Sequence, residues 1–129
     1  MSLERSFNLR RHARHDVAVV EISGQLVLDG IADLNREILV SVPRDKPYLV
    51  LDVSGVTYSD SSGLSTLFAV QSKIVRAGGT MALCGMHGHL KDLMQVCNIG
   101  DVFAAFATQE EALQHVQEER ARKTGRATG

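Results

Sequence analysis

The sequence predicts an α/β fold: a mixed sheet of four to five strands with about four helices packed mostly on one side. Three observations predict it. Short β-branched apolar runs alternate with stretches whose apolar residues recur at helical spacing, the pattern of strands joined by crossover helices. One run, Tyr48-Leu49-Val50-Leu51-Asp52-Val53, is apolar at nearly every position, so it is buried on both faces and belongs mid-sheet. Finally, 129 residues with 44% hydrophobic and 22% charged side chains suit one globular domain, and its core is aliphatic because aromatics are only 5% and Trp is absent.

The elements follow in order. Phe7-Asn8-Leu9-Arg10-Arg11-His12 alternates weakly and reads as an edge strand. Residues 17–22, VAVVEI, read as a second strand, stopped by Ser23-Gly24, and His15-Asp16 makes the two a hairpin. Asp29-Gly30 precedes a helix with Ile31, Leu34, Ile38 and Leu39 on one face and Asp33, Arg36 and Glu37 on the other, closed off by Pro43 and Pro47. After the central strand, residues 54–60 read as a loop. The next helix carries Leu64, Leu67, Phe68, Ile74 and Val75 on its apolar face, and Gly78-Gly79 supplies its left-handed cap. Residues 80–84 form a strand ended by Gly85. Leu90, Leu93, Met94 and Val96 suit a short helix ended by Asn98 and Gly100, and residues 102–106 suit a last strand or extended piece. Thr108-Gln109-Glu110-Glu111 is a capping box, and Ala112, Leu113 and Val116 beyond it face the core.

Several function classes are set aside. A net charge of −1 leaves no basic footprint for direct nucleic-acid binding. No apolar run approaches the roughly 18 residues of a membrane span, so no membrane insertion is expected. No apolar stretch follows the first charges, so a secretory leader is not expected and the location is expected to be cytoplasmic. Cys84 and Cys97 read as reduced, packed thiols rather than a disulfide framework. His87-Gly88-His89, with Cys84 nearby in sequence, falls short of a zinc ligand set, and Gly-x-Ser-x-Gly is absent, so no metal, cofactor or catalytic residue is expected. The net charge hides an asymmetry: residues 1–16 sum to +2, residues 117–129 to +2 and residues 17–116 to −5. Residues 117–129 hold no apolar side chain larger than Ala. They are expected not to pack, as a basic helix end or disordered tail outside a domain spanning 5–116.

One segment carries chemistry. Asp60-Ser61-Ser62-Gly63 sits where the second helix starts, and Asp or Ser there can cap it. A helix N-terminus exposes amides and a partial positive charge. A phosphate on a serine here would meet both, opposed by the like charge of Asp60. Such a modification would alter a binding surface without unfolding the domain.

The stretch Leu51-Asp52-Val53-Ser54-Gly55-Val56-Thr57-Tyr58-Ser59-Asp60-Ser61-Ser62-Gly63-Leu64 resembles the signature of STAS domains, in the branch of bacterial anti-sigma factor antagonists. Gly24-Gln25-Leu26, Arg76-Ala77-Gly78-Gly79, Leu93-Met94-Gln95-Val96 and Glu110-Glu111-Ala112-Leu113 extend the resemblance over residues 5–116. It implies a STAS-like sheet and a partner switch. In that family the serine after the Asp, here Ser61 with Ser62 as second choice, is phosphorylated by an anti-sigma factor serine kinase. The unphosphorylated protein binds the kinase and frees the sigma factor, phosphorylation releases it, and a serine phosphatase resets it. Asp60, Gly63, Tyr58, Gln25 and Asp29 are then the expected partner-binding residues, with Gly63 admitting a partner's backbone. The chain departs from the family at Gly24-Gln25-Leu26-Val27, where Gly-Glu-Leu-Asp is usual, and Asp29 stands two residues on. That departure keeps a second reading open: a non-phosphorylated adaptor subunit of a lipid-transport or other membrane-associated complex.

Overall fold

The computed structural model describes residues 6–27, 30–97 and 102–125. Its elements are β1 (Phe7–Arg14), β2 (Val17–Leu26), α1 (Ile31–Leu39), β3 (Tyr48–Ser59), α2 (Ser61–Arg76), β4 (Thr80–Cys84), α3 (Gly88–Val96), β5 (Ala104–Phe106) and α4 (Gln109–Gly125). The strands form one five-stranded sheet in the order β1-β2-β3-β4-β5. The β1–β2 pair is antiparallel and the other three are parallel.

This order fixes where the helices go. Each parallel crossover steps the same way across the sheet, and crossovers are right-handed, so α1, α2 and α3 fall on one face. There Val20, Ile22, Leu49, Leu51, Leu83 and their neighbours meet Leu34, Leu67, Ile74, Leu90 and Met94. The helix after β5 has no strand to return to and covers the other face, where Ala112, Leu113 and Val116 pack on Val17, Val19, Val50 and Ala82. Both faces of β3 are thereby covered, as its unbroken apolar run requires. The hairpin turn is His15-Asp16, with both residues at positive φ, 53° and 65°. This is the primed-turn geometry that matches strand twist. The capping box forms: the Thr108 amide donates to Glu111 Oε1 and the Glu111 amide to Thr108 Oγ1, each at 3.2 Å.

The structure corrects four expectations. Ser23-Gly24 does not stop β2, and residues 54–59 are not a loop; both strands run on, paired through Ser23 with Gly55 and Leu26 with Ser59. Two register shifts, between Glu21 and Ser23 and between Gly24 and Gln25, each insert one extra residue on the β3 side as a bulge. Val75 and Val96, assigned to core faces, are 59% and 82% exposed. Cys97 is exposed, and only Cys84 is buried. Of the basic segment after Val116, the described residues 117–125 continue α4 as a helix end, and some of them dock by charge where no packing was expected. α4 stays helical through Gly125, Arg120 donates to the His15 and Asp16 carbonyls, and Lys123 Nζ donates to the Gly79 carbonyl at 2.9 Å. The helix ends expected at Asn98 and Gly100 lie outside the described residues.

Candidate functional site

The extension of β2 and β3 builds the site. It carries Gln25 and Tyr58, which are partners in register, to the end of the sheet where α2 begins. The Asp60 amide donates to the Leu26 carbonyl at 3.0 Å, tying the start of α2 to the end of β2. Asp60 is the N-cap: its backbone is extended and its carboxylate accepts from the Ser62 and Gly63 amides at 2.9 and 3.3 Å. A carboxylate cap of this kind is worth about 1 kcal/mol.

The two serines differ. Ser62 is half-buried and its hydroxyl donates to the same Asp60 oxygen. Ser61 is exposed, and its hydroxyl has no partner among the described residues. Ser61 is the first helical residue, so its amide is among those a helix leaves without an internal acceptor. Asp60 already occupies the next two.

Gly63 is buried. A Cβ there would stand 2.3 Å from Ser59 Oγ, 2.7 Å from Leu26 Cβ and 2.9 Å from the Leu26 carbonyl oxygen. Its missing side chain admits the close approach of the chain's own β2 and β3. Tyr58 is 40% exposed, and its ring stacks on His89 with centroids 4.5 Å apart and planes at 19°. The sequence reading weighed His89 only as a metal ligand; the structure places it in the first turn of α3, against Tyr58. Gln25 is exposed, and Asp29 lies outside the described residues. Phe68 is turned inward against the Phe103 ring.

A second polar group, passed over in the sequence, lies on the α4 face. Glu21 and Asp52 are register partners, and Gln109 Nε2 donates to both, at 3.0 and 2.9 Å. Partial burial pushes the Asp52 carboxyl up, but hydrogen bonds from the Ser54 hydroxyl and amide and from Gln109 outweigh it and hold the group below its usual value. Burial, followed by the charges of Asp52, Glu110 and Glu21, pushes the Cys84 thiol up to about 12. No group of three or more metal-ligating side chains is assembled among the described residues.

A capped helix start with one free, exposed serine, set against extended parallel strands, can be compared with known proteins. A family profile described as the STAS domain matches residues 8–112. The chain belongs to the STAS domain family. The Bordetella bronchiseptica protein BtrV, whose name places it with the anti-sigma factor antagonists, is 23% identical over 100 residues, covering 71% of this chain and 86% of BtrV. The solved anti-sigma factor antagonist from Mycobacterium paratuberculosis superposes with a TM-score of 0.77 at 24% identity, covering 87% of this chain and 95% of its own. The anti-sigma factor antagonist SpoIIAA, solved in its unphosphorylated form, gives 0.67 at 17% identity, with 87% and 96% covered. These likenesses establish the shared fold. In this STAS domain no described helix is long and apolar enough to cross a membrane.

Proposed function

We propose that this STAS domain is an anti-sigma factor antagonist whose partner binding is switched at Ser61, regulating bacterial transcription from the cytoplasm as a binding protein rather than an enzyme. Unphosphorylated, it binds an anti-sigma serine kinase. Phosphorylated on Ser61, it is released, and a serine phosphatase resets it. The observation that supports this most is the contrast between the serines: Ser61 presents an unengaged hydroxyl at an exposed helix start, while the Ser62 hydroxyl is spent on the Asp60 cap. A kinase needs the first kind of hydroxyl.

The physical consequence follows from the cap. A phosphate on Ser61 brings about −1.5 to −2 charges to a position beside the Asp60 carboxylate, which already holds two of the helix-start amides. The helix dipole favours the anion, and Asp60 repels it. The added charge is thus poorly absorbed within the domain and faces outward, where it repels a docked partner and is costly to desolvate. Asp60, Tyr58 and Gln25 share that end of the sheet and form the docking surface with it; Asp29 is assigned to it from the sequence.

The test mixes the purified chain, ATP and candidate anti-sigma kinases of its source, then reads intact mass and the modified residue. One phosphate on Ser61, kept in Ser62→Ala, absent in Ser61→Ala, with kinase affinity lost in Ser61→Asp, is the expected result. No phosphate with any kinase, and equal partner binding by Ser61→Ala and Ser61→Asp, would overturn it in favour of an adaptor.

A further inference from the structure

At the pole opposite Ser61, the C-terminal ends of α1 and α2 enclose an open groove of about 690 Å³. Lys73 lies twelve residues along α2 from Ser61, about 18 Å at the helical rise, so the groove is a separate surface. Its floor is apolar, built from Leu39, Ile74 and Val40, the last 71% exposed. Its walls carry three cations, Arg36, Arg44 and Lys73, and no carboxylate. Arg36 is paired with Asp33. Arg44 and Lys73 have no partner among the described residues.

A cationic rim selects an anionic occupant and an exposed apolar floor selects one with apolar side chains. Two cations unpartnered among the described residues, Arg44 and Lys73, select an occupant with more than one carboxylate, which a fatty acid with its single headgroup lacks.

We propose that this groove docks an acidic peptide segment of a partner protein, its Asp or Glu side chains at Arg44 and Lys73 and its apolar anchors over Val40, Leu39 and Ile74. This goes beyond the switch at Ser61 and does not depend on it. With two docking surfaces at opposite poles, the domain can stay attached to one protein while Ser61 governs release of another.

The experiment selects random displayed peptides on the immobilised full chain and removes those that bind an Arg44→Glu/Lys73→Glu double variant. All three substitutions needed are at exposed residues, so the variants fold, and melting curves check this. The survivors are expected to combine Asp or Glu with Leu, Met or Phe. Labelled copies should bind about tenfold or more weaker to the double variant and to Val40→Asp, lose affinity with added salt, and bind Ser61→Asp as they bind the unchanged chain. Amide shifts should move in α1 and in the end of α2. The proposal is overturned if no peptide discriminates the double variant, if the selected peptides are neutral or basic, or if the shifts map elsewhere. It is equally overturned if laurate occupies the groove while no peptide does, or if the charge reversal abolishes self-association.

Discussion

Gly63→Ala separates two roles for one residue. The new methyl group would arrive 2.3 Å from Ser59 Oγ, 2.7 Å from Leu26 Cβ and 2.9 Å from the Leu26 carbonyl oxygen. None of the three can step aside freely. Ser59 is fully buried and its hydroxyl donates to the Asp60 carbonyl, while Leu26 is held by the Asp60 amide. The start of α2 must therefore move off the sheet. Overpacking of this kind costs about 1–3 kcal/mol, and loosening the Asp60–Leu26 hydrogen bond adds about 1. The better helix propensity of Ala returns at most about 1 kcal/mol. The net expectation is a loss of about 2 kcal/mol, or roughly 8 °C of melting temperature for a domain of this size. Calorimetry and urea titration read it. Gly88→Ala is the comparator: nothing stands within 4 Å of its Cβ, and only its φ of +58° is unfavourable, so its fall should be smaller. If Gly63→Ala melts with the unchanged protein yet loses its partner, the close approach serves the partner and the reasoning fails.

Asp60→Ala removes the cap from Ser62 and Gly63 and should cost about 1 kcal/mol, while Asp60→Asn should recover most of the melting temperature. Asp52 is held below its ordinary value of 3.8, so its ionised form favours the folded state. That contribution is present above the ordinary value and is lost as the pH falls through the lower folded one. Asp52→Asn should therefore flatten the acid limb of a urea-midpoint profile below that value. A thiol reagent at neutral pH should modify Cys97 quickly in the native protein and Cys84 only after unfolding, because Cys97 is exposed while the Cys84 thiol is buried and pushed up to about 12. Fast labelling of both would show the sheet opening at β4.

Periodicity made most of the architecture readable. A run buried on both faces, such as 48–53, has few places to go in an α/β sheet, and a capping box at Thr108 leaves little choice about where α4 starts. What misled was small residues. Ser23-Gly24 and Ser54-Gly55 look like turns, but a Cβ on Gly55 would stand 2.8 Å from Ser23 Cβ, so these residues mark where two strands crowd together. Local sequence cannot tell a bulge from a turn, because the difference lies in the partner strand. The end of α4 failed for a related reason. Its docking uses Arg120 and Lys123 on backbone carbonyls, contacts that leave no apolar signature. Ser61 and Ser62 are alike in the sequence, and the physical difference between them appears only in the structure, where the Asp60 cap engages the Ser62 hydroxyl.

The same strand extension that hid from the sequence explains how the switch proposed at Ser61 would leave the fold intact. Asp60 is tied to β2 through its amide and to α2 through its carboxylate, so the helix start is fixed from both sides without using Ser61. Charge added at Ser61 perturbs no internal hydrogen bond among the described residues. A domain that put its modifiable hydroxyl into the cap would lose about 1 kcal/mol of helix stability with each phosphorylation. Here the cap belongs to the neighbouring Asp60, so under the proposed switch the change in charge would fall on whatever is docked outside.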